Sequence, residues 1–163
     1  MIFGMTPFTL FHVTLSLIGI ASGLVVLRGL LASDPMNGWT ATFLATTAAT
    51  SITGFLFPFH GVTPGIVLGV LSLIVLAPAI AGRYRFHLAG SWRWVYAAGA
   101  VIALYFNVFV LIVQGFVKIP ALHALAPTIP PSGPLFGAVQ GLTLVFFAVM
   151  GFLSIRRFHP AGA

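Results

Sequence analysis

Cysteine is absent from this 163-residue chain, which excludes disulfides, thiolate nucleophiles and cysteine-held iron–sulfur clusters. Acid is nearly absent too, with Asp34 the one carboxylate. Paired-carboxylate catalysis, carboxylate-rich metal sites and proton relays through buried Asp or Glu therefore have no residues to use. Charge of either sign is scarce, at 5% of residues, where a soluble domain carries about a quarter. So few charges cannot solvate a globule, and the surface must face lipid. Phosphate-binding signatures are missing, with neither GxxxxGK nor a GxGxxG between strand and helix. The net charge of +6 comes from bases spread over the ends of apolar runs, which is not the basic patch that nucleic acid requires.

What the chain has in abundance is apolar sequence, at 60% of residues. About 20 mostly apolar residues cross a hydrocarbon core as a helix. Runs of that kind fall at about 7–32, 39–59, 63–82, 92–117 and 134–155. The expectation is an all-α bundle of five transmembrane helices in a single domain over residues 1–163. Asp34-Pro35 and Asn37-Gly38 are turn chemistry, so the first connector is short and the second helix returns antiparallel. Pro64 suits a first helical turn. The segment ALHALAPTIPPSG, rich in proline and without periodicity, reads as an extended loop. MIFGMTPFTLF lacks a basic region ahead of its apolar run and reads as the start of a retained helix, not a signal peptide.

Five crossings place Arg28, Arg83, Arg85, Arg93, Arg156 and Arg157 on one side and Lys118 alone on the other. Basic residues mark the cytoplasmic face, so the expected topology is N-terminus out and C-terminus in. Trp39, Trp92 and Trp94 fall on the same basic side, where indoles anchor at the interface. Arg83, Arg85, His87, Arg93, Arg156 and Arg157 are the expected contacts for anionic lipid headgroups. Small residues recur at a spacing of four, in Gly19/Gly23, Gly65/Gly69 and Gly137/Gly141. Such spacing lets helix backbones approach, inside the bundle or against a partner's helix.

Polar residues sort by depth. His12, Thr53, Gln114 and Gln140 all fall roughly 6–9 Å below the outer end of the apolar spans. Asn107 lies deeper, on the same face of its helix as Gln114. His60 and His123 stand in the loops above. Polar groups inside a membrane are costly unless paired, so several at one depth are expected to meet. One reading is a hydrogen-bond layer that fixes helix register. The other is a small polar pocket open to the outside, with His12, His60, Gln114 and Gln140 as its candidate binding residues. Haem or quinone are the cofactors such a pocket would suit. The hydroxyls of the second run, from Thr40 to Thr53, either bond their own helix or line a solute path.

The stretches RYRFHLAGSWRWVYAAGAVIALYFNVFVLIVQ, from Arg83 to Gln114, and FHVTLSLIGIASGLVVLRGLL resemble small polytopic inner-membrane proteins of alphaproteobacterial type. The resemblance covers most of the chain. It implies a multi-pass protein of a bacterial inner membrane and brings no activity with it. The leading expectation is thus a non-enzymatic accessory subunit or small-ligand-binding component. Its partners would be the lipid bilayer and other membrane subunits or a second copy of the chain. A haem- or quinone-binding redox protein is one alternative, and a transporter or channel for a neutral or anionic solute is another.

Overall fold

A computed structural model of the chain describes residues 6–58 and 64–160, and all regular structure among them is helical. Helix α1 spans Pro7–Ala32, α2 Asn37–Gly54, α3 Pro64–Ile80, α4 Trp92–Lys118, α5 Pro120–His123 and α6 Pro134–Arg157. A π-helical turn, Ala81–Arg85, prolongs α3 just beyond Pro78, whose ring removes a backbone donor from the helix.

Among the described residues four helices are long and apolar enough to cross a membrane: α1, α3 with its π turn, α4 and α6. The fifth expected span, α2, ends at Gly54 instead of near residue 59 and carries six threonines and a serine. Those hydroxyls largely turn back onto their own backbone. Thr42 donates to Gly38 O, Thr46 to Thr42 O, Ser51 to Thr47 O and Thr53 to Ala49 O, all at 2.7–3.0 Å. Such bonds hide much of a hydroxyl's polarity within the helix. The segment expected as extended loop after α4 begins as the short helix α5, started by Pro120 at its first position.

The termini explain the turns. Thr6 caps α1 by accepting from the Thr9 amide at 3.2 Å, with Pro7 next in line. Ser33 closes α1 in the left-handed conformation, its amide donating to Gly29 O. Asp34, the sole carboxylate, accepts from the Met36 amide at 3.0 Å and so shapes the tight return into α2.

Helices α1, α2, α3 and α4 form a ring in that order, and α6 lies outside it in the groove between α4 and α1. Contacts at the two ends show that the long helices alternate in direction. At one end Ser33 Oγ accepts from the His159 amide, Thr40 meets Tyr96, and Arg83 reaches Pro35 O and Asn37 Oδ1. At the other, His12 meets Thr53, Phe8 meets Phe57, and Phe116 meets Phe136. All six arginines gather at the first end and Lys118 stands at the second.

Lipid gives apolar side chains no reason to leave it, so close backbone approach and polar bonds must hold the helices together. Gly23 is such an approach. A Cβ there would lie 2.6 Å from Leu104 Cδ1 and 2.9 Å from the Phe43 ring. Gly99 does the same for α3 and α4, where a Cβ would lie 2.8 Å from that of Ala79. Along α4 and α6 the pairs Tyr96–Phe158, Tyr105–Phe147 and Phe116–Phe136 make three aromatic rungs, with centroids 5.3–5.8 Å apart. Outward-facing leucines, valines and phenylalanines cover the bundle, among them Leu142, Val145, Phe152 and Ile74.

Candidate ligand-binding cavity

Two polar rungs cross the ring. In the upper one His12 Nδ1 lies 2.8 Å from Thr53 Oγ1. The Thr53 hydroxyl has one proton, which points to Ala49 O at 2.8 Å. The network therefore assigns Nδ1–H of His12 as the donor and leaves Nε2 with its lone pair. Among the described residues nothing bonds that lone pair. The lower rung is Asn107 Nδ2, which donates to Thr47 Oγ1 at 3.0 Å. It faces Gly19, whose missing side chain leaves room for Thr46, Thr47 and Asn107 together. Because α1, α2 and α4 alternate in direction, Gln114, two turns along α4 from Asn107, stands level with His12 and Thr53. The rungs are thus about 10 Å apart.

Between and above these rungs lies a cavity of about 600 Å³. That is within the roughly 300–1,000 Å³ of pockets that enclose small molecules. Each wall is one helical stripe. Helix α4 supplies Asn107, Val110, Leu111, Gln114 and Lys118, while α1 supplies Thr9, His12, Val13, Ser16 and Ile20. Thr50, Ser51, Gly54 and Phe55 come from α2 and its end, and Gly65, Leu68, Gly69 and Ser72 from α3. The Phe57 ring stands edge-on to the His12 imidazole, 5.0 Å between centroids, and fixes its plane.

The expected site residues divide. His12 and Gln114 line the cavity. Gln140 does not. It is buried in the α4–α6 contact, where Nε2 donates to Phe109 O at 3.2 Å and Oε1 has no partner. Helix α6 packs on the far side of α4, so a common depth did not mean a common site. His60 lies outside the described residues. His123 sits beside the end of α4 with a buried, unpartnered Nδ1 and is not part of the cavity wall. Among the described residues no three His, Cys, Asp or Glu side chains are grouped as metal ligands.

Three residues beyond the expected set, Lys118, Ser72 and Thr50, also line the cavity. Lys118 and Asn107 share a stripe with Gln114, a relation that α4's periodicity would have disclosed for the lysine as it did for Asn107. Ser72 is 4% exposed, and its hydroxyl has no partner among the described residues. The Thr50 hydroxyl is buried and unpartnered as well.

At the other end, two expected headgroup contacts turn inward. Arg93 Nη1 donates to Phe158 O at 2.5 Å and to Ile155 O at 3.3 Å, closing the last turn of α6. Arg83 bonds the α1–α2 connector and lies over the Tyr96 ring, 5.5 Å from its centroid. Arg85, His87, Arg156 and Arg157 are exposed. The Arg156 guanidinium lies 5.5 Å from the Phe152 ring.

No family model, curated protein or solved structure matches the chain.

Proposed function

We propose that this is a multi-pass protein of a bacterial inner membrane that binds a small amphipathic molecule in the cavity enclosed by α1–α4. The observation that carries the reading is a cavity with an apolar wall and an unfilled polar inventory. The lone pair of His12 Nε2, the Gln114 amide and the Lys118 ammonium stand at its mouth, and Ser72 and Asn107 lie deeper. The Thr50 hydroxyl, buried in the same wall without a partner, is costly there, and a bound molecule that supplies polar partners recovers such a cost.

Five crossings, with α1 entering from outside, fit the segregation of six arginines from Lys118. The polar α2 joins the crossing set because four of its seven hydroxyls bond their own helix and its buried face is shielded by α1. Those same bonds argue against a solute path along α2, since they leave no ladder of free hydroxyls. Haem ligation would want an opposed pair of histidines, and His12 is the one histidine among the described residues that lines the cavity. An accessory role inside a larger membrane assembly is compatible with ligand binding.

Val110→Trp should fill the cavity without touching either polar rung. Native mass spectrometry of protein released gently from its membrane should show a bound small molecule that this variant loses. A folded wild-type protein that carries no adduct, or an adduct that survives Val110→Trp, would overturn the reading.

A further inference from the structure

The cavity's polar groups are unequal in charge and depth, and that inequality specifies a ligand class. Among the described residues Lys118 is the only lysine or arginine at its end of the bundle, and the chain's one Asp or Glu, Asp34, lies at the opposite end in the α1–α2 connector. The ammonium at the mouth therefore has no counter-charge in the protein. Its field is weakly screened toward the low-dielectric side and favours an anion there. Gln114, one turn deeper on the same stripe, also lines the cavity and carries amide donors.

The lower end is polar but uncharged. Ser72 is 4% exposed and lines the cavity, and its hydroxyl has no partner among the described residues. Asn107 has given one amide proton to Thr47, and its Oδ1 has no partner among the described residues. Ser72 and Asn107 stand at one level, because Gly99 on α4 meets Ala79 on α3 and the two helices run antiparallel from there. A plain hydrocarbon chain reaching this depth would cover a hydroxyl and a carbonyl without bonding either. Between the two polar ends the wall is mostly apolar, with Val13, Leu68, Val110 and Leu111, and the Thr50 hydroxyl is set among them.

We propose that the ligand is an amphipathic hydroxy acid. Its carboxylate sits at Lys118 and Gln114. A hydroxyl roughly 10–16 Å farther along the molecule, the axial distance from Asn107 to Gln114 and Lys118, meets Ser72 and Asn107. The inference rests on the cavity reading above and adds the charge and the second polar point. A cavity of about 600 Å³ accepts one such chain, whereas a two-chain phospholipid would have to leave a chain in the bilayer.

The test uses the full chain in nanodiscs of uncharged phosphatidylcholine, with radiolabelled 12-hydroxyoctadecanoate as the probe. Octadecanoate lacks the hydroxyl, and octadecane-1,12-diol lacks the charge. The hydroxy acid should bind most tightly, with each comparison compound weaker by about five- to thirty-fold, the loss expected for one good polar contact. Lys118→Gln should lower affinity for both acids and leave the diol unchanged. Ser72→Ala should bring the hydroxy acid down to octadecanoate, with octadecanoate itself unaffected. Equal, saturable, Val110→Trp-sensitive binding of all three compounds would overturn the hydroxy acid while the cavity reading stood. Displacement of the probe by phosphatidylglycerol at ordinary membrane density would assign Lys118 to a lipid headgroup and also overturn it. If none of the three binds saturably, the hydroxy acid is overturned, and the cavity reading falls with it only if native mass spectrometry also shows no Val110→Trp-sensitive adduct.

Discussion

Asn107 donates to Thr47 across the middle of the bundle, Nδ2 to Oγ1 at 3.0 Å, where the threonine is wholly buried. This bond joins α2 to α4, which Thr40 and Tyr96 also link nearer the arginine end. Removing the donor by Asn107→Leu should lower stability by about 0.5–2 kcal/mol, the range measured for interhelical bonds in membranes. Thermal unfolding in mild detergent reads the loss. In a double-mutant cycle with Thr47→Val the two changes should be less than additive. Additive losses would mean the bond contributes nothing.

Gln114 and Gln140 lie at similar depth but face different neighbours, the first the cavity and the second Phe109. Gln114→Leu and Gln140→Leu should therefore be additive in stability. Only Gln114→Leu should weaken binding in the cavity. Coupling of about 1 kcal/mol or more in the cycle would place the two side chains together after all.

The boundaries of α1, α4 and α6 were legible because each is a long apolar run closed by turn chemistry or basic residues. Depth was legible as well, since the rise of a helix places His12, Thr53 and Gln114 on one level, where the structure has them. What the sequence could not convey was azimuth: which side of α4 each neighbour occupies. Gln140 shares the depth of the layer but not its side of α4, and Ser72, a lone serine in an apolar run, carries no signal of its own. The arginines show the same limit from the other end. Charge located Arg83 and Arg93 at an interface, but only packing reveals that both bond backbone carbonyls.

That difference among the arginines is measurable. Arg93→Gln removes a charged donor from two carbonyls at the end of α6 and should cost about 1.5–3 kcal/mol. Arg157→Gln, at an exposed position, should stay within about 0.5 kcal/mol. Equal melting temperatures for the two variants would show that the α6 closure is unimportant.

The glycine pairs should also separate. A methyl at Gly23 meets Leu104 and the buried Phe43 ring, so Gly23→Ala should cost about 1–3 kcal/mol through overpacking. Nothing lies within 4 Å of a Cβ at Gly137 or Gly141. Alanine there should be neutral in the purified single chain. If the Gly137→Ala, Gly141→Ala protein instead loses a co-purifying partner or a dimer band, that face of α6 is an assembly surface.

The direction of α2 decides the topology, because it is the one long helix whose composition does not itself call for a membrane. If α2 crosses, residues 35 and 58 lie on opposite sides; if it rests at the interface, they lie on the same side. Its contacts favour crossing, since Thr40 meets Tyr96 at one end of the bundle and Thr53 meets His12 at the other. Reporters inserted after Pro35, Pro58, Thr128 and His159 separate the cases. Cytoplasmic reporters should work at Pro35 and His159, beside the arginines, and periplasmic ones at Pro58 and Thr128. The same compartment at Pro35 and Pro58 would remove one crossing and with it the segregation of arginine from Lys118. The reverse compartment at all four sites would keep the five crossings but turn the cavity mouth, with Lys118, toward the cytoplasm.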